Sequence, residues 1–178
     1  MVSPQAVIRP AVPADLKAVA EINAHYVTNT VITFEETPPT VDDWHRRLDD
    51  LTGRGPPFLV ADLTGEVAGY AYAGPWRPKP AYRHTVEDTI YLAPGHTGRG
   101  LGGALLGELV ARSIAAGLHR MIAVIADAGD DRSIALHRRF GFTEAGRLVD
   151  VGCKHGRWID TTLMQRPLSP DGPPVSAR

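Results

Sequence analysis

The segment His96–Leu106, HTGRGLGGALL, runs glycine-dense backbone straight into an apolar helix, which is a pyrophosphate-binding arrangement. Gly98, Gly100, Gly102 and Gly103 leave backbone N–H groups uncovered by side chains, and the following helix adds the positive end of its dipole. An anionic ligand is expected here. Just upstream, TVEDTIYL (Thr85–Leu92) alternates as a strand does. Val86, Asp88, Ile90 and Leu92 face one way, and Thr85, Glu87, Thr89 and Tyr91 face the other.

The elements around these two segments follow from periodicity and turn chemistry. Val7–Arg9 reads as a short strand, and Pro13 opens a helix with Leu16, Val19, Ala20 and Ile22 at helical spacing, running to about Tyr26. Thr40 and Asp43 form an N-cap with an acidic first turn for a second helix, whose apolar face is Trp44, Leu48 and Leu51 and which Gly53–Pro57 ends. Phe58–Asp62 and Glu66–Ala73 flank a Thr64-Gly65 turn as an antiparallel hairpin. A helix from Leu101 to about Ala116 stops at Gly117, and Met121–Ala126 is apolar enough for a buried strand. Ser133–Phe140 predicts a last helix ending at Gly141. Phe142–Val151 and Trp158–Gln165 predict closing strands joined through Lys154–Arg157. The sum is an α+β fold, a mixed sheet with helices packed on it.

A chain of 178 residues, 43% hydrophobic with net charge -1, is expected to form a single domain over residues 1–167. The Pro-, Gly- and Ser-rich residues 168–178 are expected to form a disordered tail. Scattered positive charges give no footprint for nucleic acid. No window approaches the roughly 18 apolar residues that cross a bilayer, so no membrane partner and a cytoplasmic location are expected. The single cysteine, Cys153, sits among strand-like residues and is expected to pack. The seven histidines show no HExxH or Cys/His ligand spacing, so no metal is expected.

Gly98, Gly100 and Gly103 also satisfy the dinucleotide fingerprint GxGxxG, with Asp127 at a ribose-binding distance. That reading fails on position. Ala93 to Thr97 separate the first glycine from its strand, the strand carries polar side chains, and too little chain follows Asp127 for a doubly wound sheet. No GK[ST] follows to make a P-loop.

The polar-faced central strand, the glycine loop and helix, and a later helix opening near a serine resemble the GNAT superfamily of acyl-CoA-dependent N-acetyltransferases. Its loop signature, Q/R-x-x-G-x-G/A, falls on Thr97, Gly98, Arg99, Gly100, Leu101 and Gly102, with Thr97 departing from Gln or Arg. Longer segments, AYAGPWRPKPAYRHTVEDTIYL, SIALHRRFGF and VGCKHGRWIDTTLMQ, are similar to the phosphinothricin and methionine sulfoximine N-acetyltransferase family. This resemblance implies a GNAT-like, mainly antiparallel central sheet flanked by helices. It also implies an enzyme that moves acetyl from acetyl-CoA to the amine of a small amino-acid analogue by direct attack in a ternary complex, working as a homodimer.

Residue roles implied by the resemblance follow. Glu87 is the proton acceptor, because an amine attacks a thioester only as the free base. His137 orients substrate or protonates the departing thiolate. Acetyl-CoA is held by Ile90, Tyr91 and Leu92 along its pantetheine arm, with one backbone N–H polarising the thioester carbonyl. Gly98, Arg99, Gly100, Leu101, Gly102 and Gly103 hold the pyrophosphate. Where the superfamily commonly shows Asn-x-x-Ser, this chain has Asp130 and Ser133; the serine is expected to cap its helix, and the carboxylate to weaken CoA binding somewhat. The acceptor is expected to meet Phe34, Glu35, Trp76, Arg77, Tyr82, Thr85, Val86 and Thr89 beside Glu87. Two other readings are a non-catalytic CoA-sensing module and an acetyltransferase for a protein N-terminus or a polyamine. Cationic Arg77 and Lys79 argue against the polyamine.

Overall fold

A computed structural model describes residues 6–169. In it Val7–Pro10 forms β1, Leu16–Asn29 α1, Val41–Arg54 α2, Phe58–Leu63 β2, Glu66–Pro75 β3 and Thr85–Leu92 β4. Leu101–Ala115 then forms α3, Arg120–Ala126 β5, Arg132–Arg139 α4, Thr143–Lys154 β6 and Arg157–Pro167 β7. The strands make one seven-stranded sheet in the order β1-β2-β3-β4-β5-β7-β6. Every neighbouring pair is antiparallel except β4 and β5. The α+β, mainly antiparallel expectation holds.

Alternation along the strands places the two helix layers. Phe58, Val60 and Tyr70 point to one face, where Leu16, Val19 and Ile22 of α1 and Trp44, Leu48 and Leu51 of α2 cover them. Leu59, Ala61, Ala71 and Ala73 point to the other face, under Leu105, Leu106 and Leu109 of α3. Those three leucines are fully buried, which is worth roughly 1.5–3 kcal/mol each. The exposed Arg112–Glu108 pair on the same helix contributes about 0.3–0.5 kcal/mol, so packing fixes α3 and surface charge does not.

Local chemistry sets the ends. The Asp43 N–H donates to Thr40 Oγ1 at 3.2 Å and the Thr40 N–H to Asp43 Oδ2 at 2.8 Å, the reciprocal cap expected of α2. Thr64 and Gly65 both take positive φ, 54° and 92°, which matches the twist of the β2–β3 hairpin.

Several expectations are corrected. Pro13–Asp15 is a 3-10 turn, because Asp15 is held by Arg9 at 2.8 Å and by the Val12 N–H at 2.8 Å; α1 starts after it and reaches Asn29. Helix α2 runs through Gly53 and ends at left-handed Gly55. Cys153 faces solvent instead of packing, and Trp158 on β7 is 68% exposed. Leu168, expected to open the tail, is buried and donates its N–H to the His119 carbonyl at 2.9 Å. Residues 1–5 of the expected domain and 170–178 of the expected tail lie outside the described residues.

One irregularity positions the site. β4 and β5 pair only from Thr85–Arg120 to Glu87–Ile122. Beyond that β4 follows β3 as far as Gly69–Leu92, while β5 follows β7 as far as Ala126–Thr161. The sheet therefore opens into a gap between residues 88–92 and 123–126. Tyr26 donates its hydroxyl proton to the Leu92 carbonyl at 2.7 Å, which ties α1 to the far end of β4.

Candidate active site

A cleft of about 920 Å³ runs through this gap. One end meets the start of α3. Gly98 and Gly100 take φ of 76° and 80°, a region that glycine enters without penalty and other residues resist. The first bond within α3 is from the Ala104 N–H to the Gly100 carbonyl, 3.1 Å, so the N–H groups of Leu101, Gly102 and Gly103 have no acceptor in the helix. Thr97, Gly98, Gly100, Gly102 and Gly103 line the cleft at this end. A Cβ on Gly102 would lie 3.4 Å from Leu136 and one on Gly103 would lie 3.6 Å from Phe140, ordinary contact distances, so packing against the α4 end does not itself demand glycine at either. The Leu101 side chain is buried and the Arg99 side chain is exposed, and neither residue lines the cleft.

Along the middle of the cleft, β4 beyond Glu87 has β3 on one edge and, among the described residues, no strand on the other. Ile90 and Leu92 turn their side chains into the core beside α3, and Tyr91 joins the opposite cluster. An extended polar ligand can pair with this free strand edge as a further strand would.

At the head of α4, Asp130 accepts from the Arg132 N–H at 3.1 Å and from the Arg132 guanidinium at 2.8 Å. Asp130 lines the cleft, and these bonds hold its carboxyl below the usual carboxylate range. Ser133 does not cap: the helix starts one residue earlier, and its hydroxyl lies 3.4 Å from His137 Nδ1.

The acceptor end surrounds Glu87. Phe34, Glu35 and Thr89 line the cleft with it, together with Tyr72, Tyr91 and Arg47. Burial pushes the Glu87 carboxyl up to about 7; the adjacent Asp88 charge adds to the rise and Arg77 opposes it. A carboxyl tuned to that range is partly ionised at neutral pH and able to take a proton.

The structure brings other expected residues less close. Trp76, Arg77, Tyr82, Thr85 and Val86 do not line the cleft. Val86 is 2% exposed and packs in the α3-side core, so its side chain is not a substrate contact. The Trp76 N–H donates to the Thr85 carbonyl at 3.3 Å, and the Arg77 guanidinium stacks 4.8 Å over the Trp76 ring at the rim. Tyr82 is exposed.

His137 is buried, with Nε2 2.9 Å from Asp88 Oδ2 and Nδ1 2.7 Å from the Ser133 carbonyl. Both ring nitrogens face acceptors. The ring also meets Phe142 edge-on at 5.0 Å, so it is fixed in place and offers no free nitrogen to a thiolate.

Sequence reasoning missed Arg47. Its guanidinium stacks on Trp44 at 4.6 Å, donates to the Tyr72 hydroxyl at 3.1 Å and lies 3.9 Å from Glu35. The available signal was its spacing, three residues after Trp44 on the border of the apolar face of α2. Among the described residues no group of three His, Cys, Asp or Glu is placed to hold a metal ion. No described helix is long and apolar enough to cross a membrane.

Comparison with known proteins matches residues 19–142 to a family model described as the acetyltransferase (GNAT) family. A phosphinothricin N-acetyltransferase of Alcaligenes faecalis is 45% identical over 155 residues, covering 87% of this chain and 79% of the relative. An L-methionine sulfoximine/L-methionine sulfone acetyltransferase of Pseudomonas aeruginosa is 44% identical over 164 residues, covering 92% of this chain and 95% of the relative. Among solved structures, a phosphinothricin acetyltransferase from Sinorhizobium meliloti in complex with acetyl-CoA superimposes with a TM-score of 0.88 at 48% identity, covering 98% of this chain and 92% of that one.

Proposed function

We propose, because this chain belongs to the acetyltransferase (GNAT) family and is an acetyl-CoA-dependent N-acetyltransferase, that its acceptor is the α-amine of a small amino-acid analogue of the phosphinothricin or methionine sulfoximine type. One observation carries the reading. A half-buried carboxyl, Glu87, stands at the point where β4 leaves β5, poised near neutrality and flanked by a pocket of Tyr72, Arg47 and Glu35. A vestigial CoA-sensing domain has no use for such a carboxyl.

Acetyl-CoA supplies an activated acyl group when bound, and the residues present fit it. Free N–H groups at Leu101–Gly103 meet its pyrophosphate, and the unpaired edge at Ile90–Leu92 meets its pantetheine arm. A backbone N–H of that edge polarises the thioester carbonyl as negative charge develops on oxygen. Glu87 accepts the ammonium proton, directly or through water, so that the amine attacks as the free base; the new C–N bond replaces the C–S bond, and CoA leaves as the thiolate, which takes the second proton of the amine as the amide forms. Arg47 within the cleft and Arg77 at its rim supply the positive charge that recognises the acceptor's carboxylate and its polar head. His137 acts as a positioning residue that ties Asp88 of β4 to α4. Asp130, already satisfied by Arg132, contributes little to CoA affinity.

We further place the enzyme in the cytoplasm, as one domain with no nucleic-acid or membrane partner, where acetylation of such analogues confers resistance to them. A homodimer is assigned to the β6 edge of the sheet. Edge strands left open invite pairing, and Leu148, Val149 and Val151 are exposed there, Val149 to 70%, with exposed Trp158 on the adjoining β7. Sedimentation velocity is expected to show a dimer that Val149→Asp with Trp158→Arg converts to monomer; a monomeric parent protein would remove the assignment.

The acceptor is tested by thiol release from acetyl-CoA with phosphinothricin, methionine sulfoximine, methionine sulfone and a polyamine. Turnover is expected with one or more of the first three and not with the polyamine. Silence on all four would overturn the reading.

A further inference from the structure

The segment between α1 and α2 supplies Ile32, Thr33, Phe34 and Glu35 to the acceptor end of the cleft, yet it has no regular secondary structure. Its own hydrogen bonds are local, and the charge contact of Glu35 with Arg47 of α2 is loose at 3.9 Å. Thr30 Oγ1 donates to the Tyr26 carbonyl at 2.7 Å, and the Glu35 N–H reaches Thr33 Oγ1 at 3.3 Å. These restrain neighbours without fixing where the segment stands over Glu87.

Two contacts with the distant β6–β7 hairpin do fix it. Lys154, the last residue of β6, is 3% exposed and donates from Nζ to the Thr33 carbonyl at 2.8 Å. The Phe34 ring packs against Gly152, two residues earlier on the same strand, at a distance where any Cβ on Gly152 would overlap the ring. An ammonium taken out of water costs free energy unless it is well paired, and here the Thr33 carbonyl supplies that pairing. The acidic groups near it, Glu35 and Glu36, both belong to the segment that it grips.

We propose that Lys154 and Gly152 are specificity-determining positioning residues, which set acceptor affinity by latching residues 32–35 over Glu87. Neither touches the reacting atoms. Lys154 fixes the height of the segment at Thr33, and the missing side chain of Gly152 lets Phe34 seat beside it. The donor half of the cleft, at the glycine loop and the free β4 edge, is built from other elements and is unaffected. This inference rests on the acceptor site assigned above.

The test uses the full chain and separates the two ideas. In Lys154→Met, amide hydrogen exchange over residues 31–36 is expected to quicken roughly tenfold while the core strands keep their protection. The KM for the acceptor is expected to rise about tenfold, with the KM for acetyl-CoA within about twofold of the parent. Gly152→Ala is expected to raise the acceptor KM in the same way, and to have no further effect once Phe34 is Ala. Unchanged exchange over 31–36, or equal rises in both KM values, would overturn the latch. Should Lys154→Met not fold, Gly152→Ala on the same readouts decides. A parent enzyme inactive on every acceptor refutes the assigned site, while the exchange arm still judges the latch.

Discussion

Glu87→Gln is expected to lower kcat/KM for the acceptor by about 10²–10⁴, with little change in acetyl-CoA binding. Glutamine keeps the shape and hydrogen-bonding reach of the side chain but takes no proton, so what is lost is general-base catalysis. The pH profile sharpens the test. With the carboxyl pushed up to about 7 by burial and by Asp88, the parent rate should climb through neutrality as Glu87 ionises. In the variant that limb should disappear, leaving only the titration of the acceptor amine. A variant with parental turnover, or one that keeps the limb near 7, would show that another group takes the proton.

The same group should act on stability with the opposite sign. A carboxyl whose pKa is raised on folding binds its proton more tightly in the native state, so stability falls as pH rises from the ordinary value of 4.5 to about 7. Above 7 the ionised Glu87 is a standing cost to the fold. Glu87→Gln should therefore melt higher than the parent at alkaline pH and close to it in acid. This is the usual exchange between a strained site and a relaxed fold.

Much of the scaffold could be read from the chain because its determinants are local. Thr85–Leu92 is bounded as its alternation predicts, and the Thr40–Asp43 cap and the Thr64-Gly65 turn depend only on residues within three positions. The glycine loop was legible for the same reason. What was not legible depends on residues far apart in sequence. Arg47 meets Tyr72 across 25 positions, His137 meets Asp88 across 49, and Lys154 meets Thr33 across 121. No periodicity reports such pairs. The gap between β4 and β5 was hidden too, since each strand reads as regular and only their divergence after Glu87–Ile122 opens the cleft. Val86 shows the limit of carrying a role by position. Alternation put it on the face of Ile90 and Leu92, which is the core, and a contact there can only be through its backbone.

His137→Leu is expected to destabilise the protein by about 3–5 kcal/mol, the usual result of stripping one partner from a buried ion pair. Asp88 and His137 side chains are 3% and 5% exposed, so the carboxylate would be left without water or cation. Against a typical total of roughly 5–15 kcal/mol, such a loss is readily measured by urea unfolding. The geometry favours the protonated ring. A neutral imidazole has one N–H and one lone pair, whereas Nδ1 faces a carbonyl at 2.7 Å and Nε2 faces a carboxylate at 2.9 Å, an environment that suits a ring donating from both nitrogens. Burial alone would depress the His137 pKa, but the Asp88 hydrogen bond and charge and the Ser133 carbonyl outweigh it and leave the value above the ordinary 6.5. A raised histidine pKa contributes stability that is fully present below 6.5 and is lost as pH climbs through the folded value. The stability difference between parent and His137→Leu should accordingly be largest below pH 6.5 and shrink as pH climbs above it. Changing Asp88 to Leu in the same chain should recover part of the loss, because an apolar pair strands no charge. A difference that grew with pH, or a double variant weaker than His137→Leu alone, would mean that the imidazole is neutral and the pair is not the element holding α4 against β4.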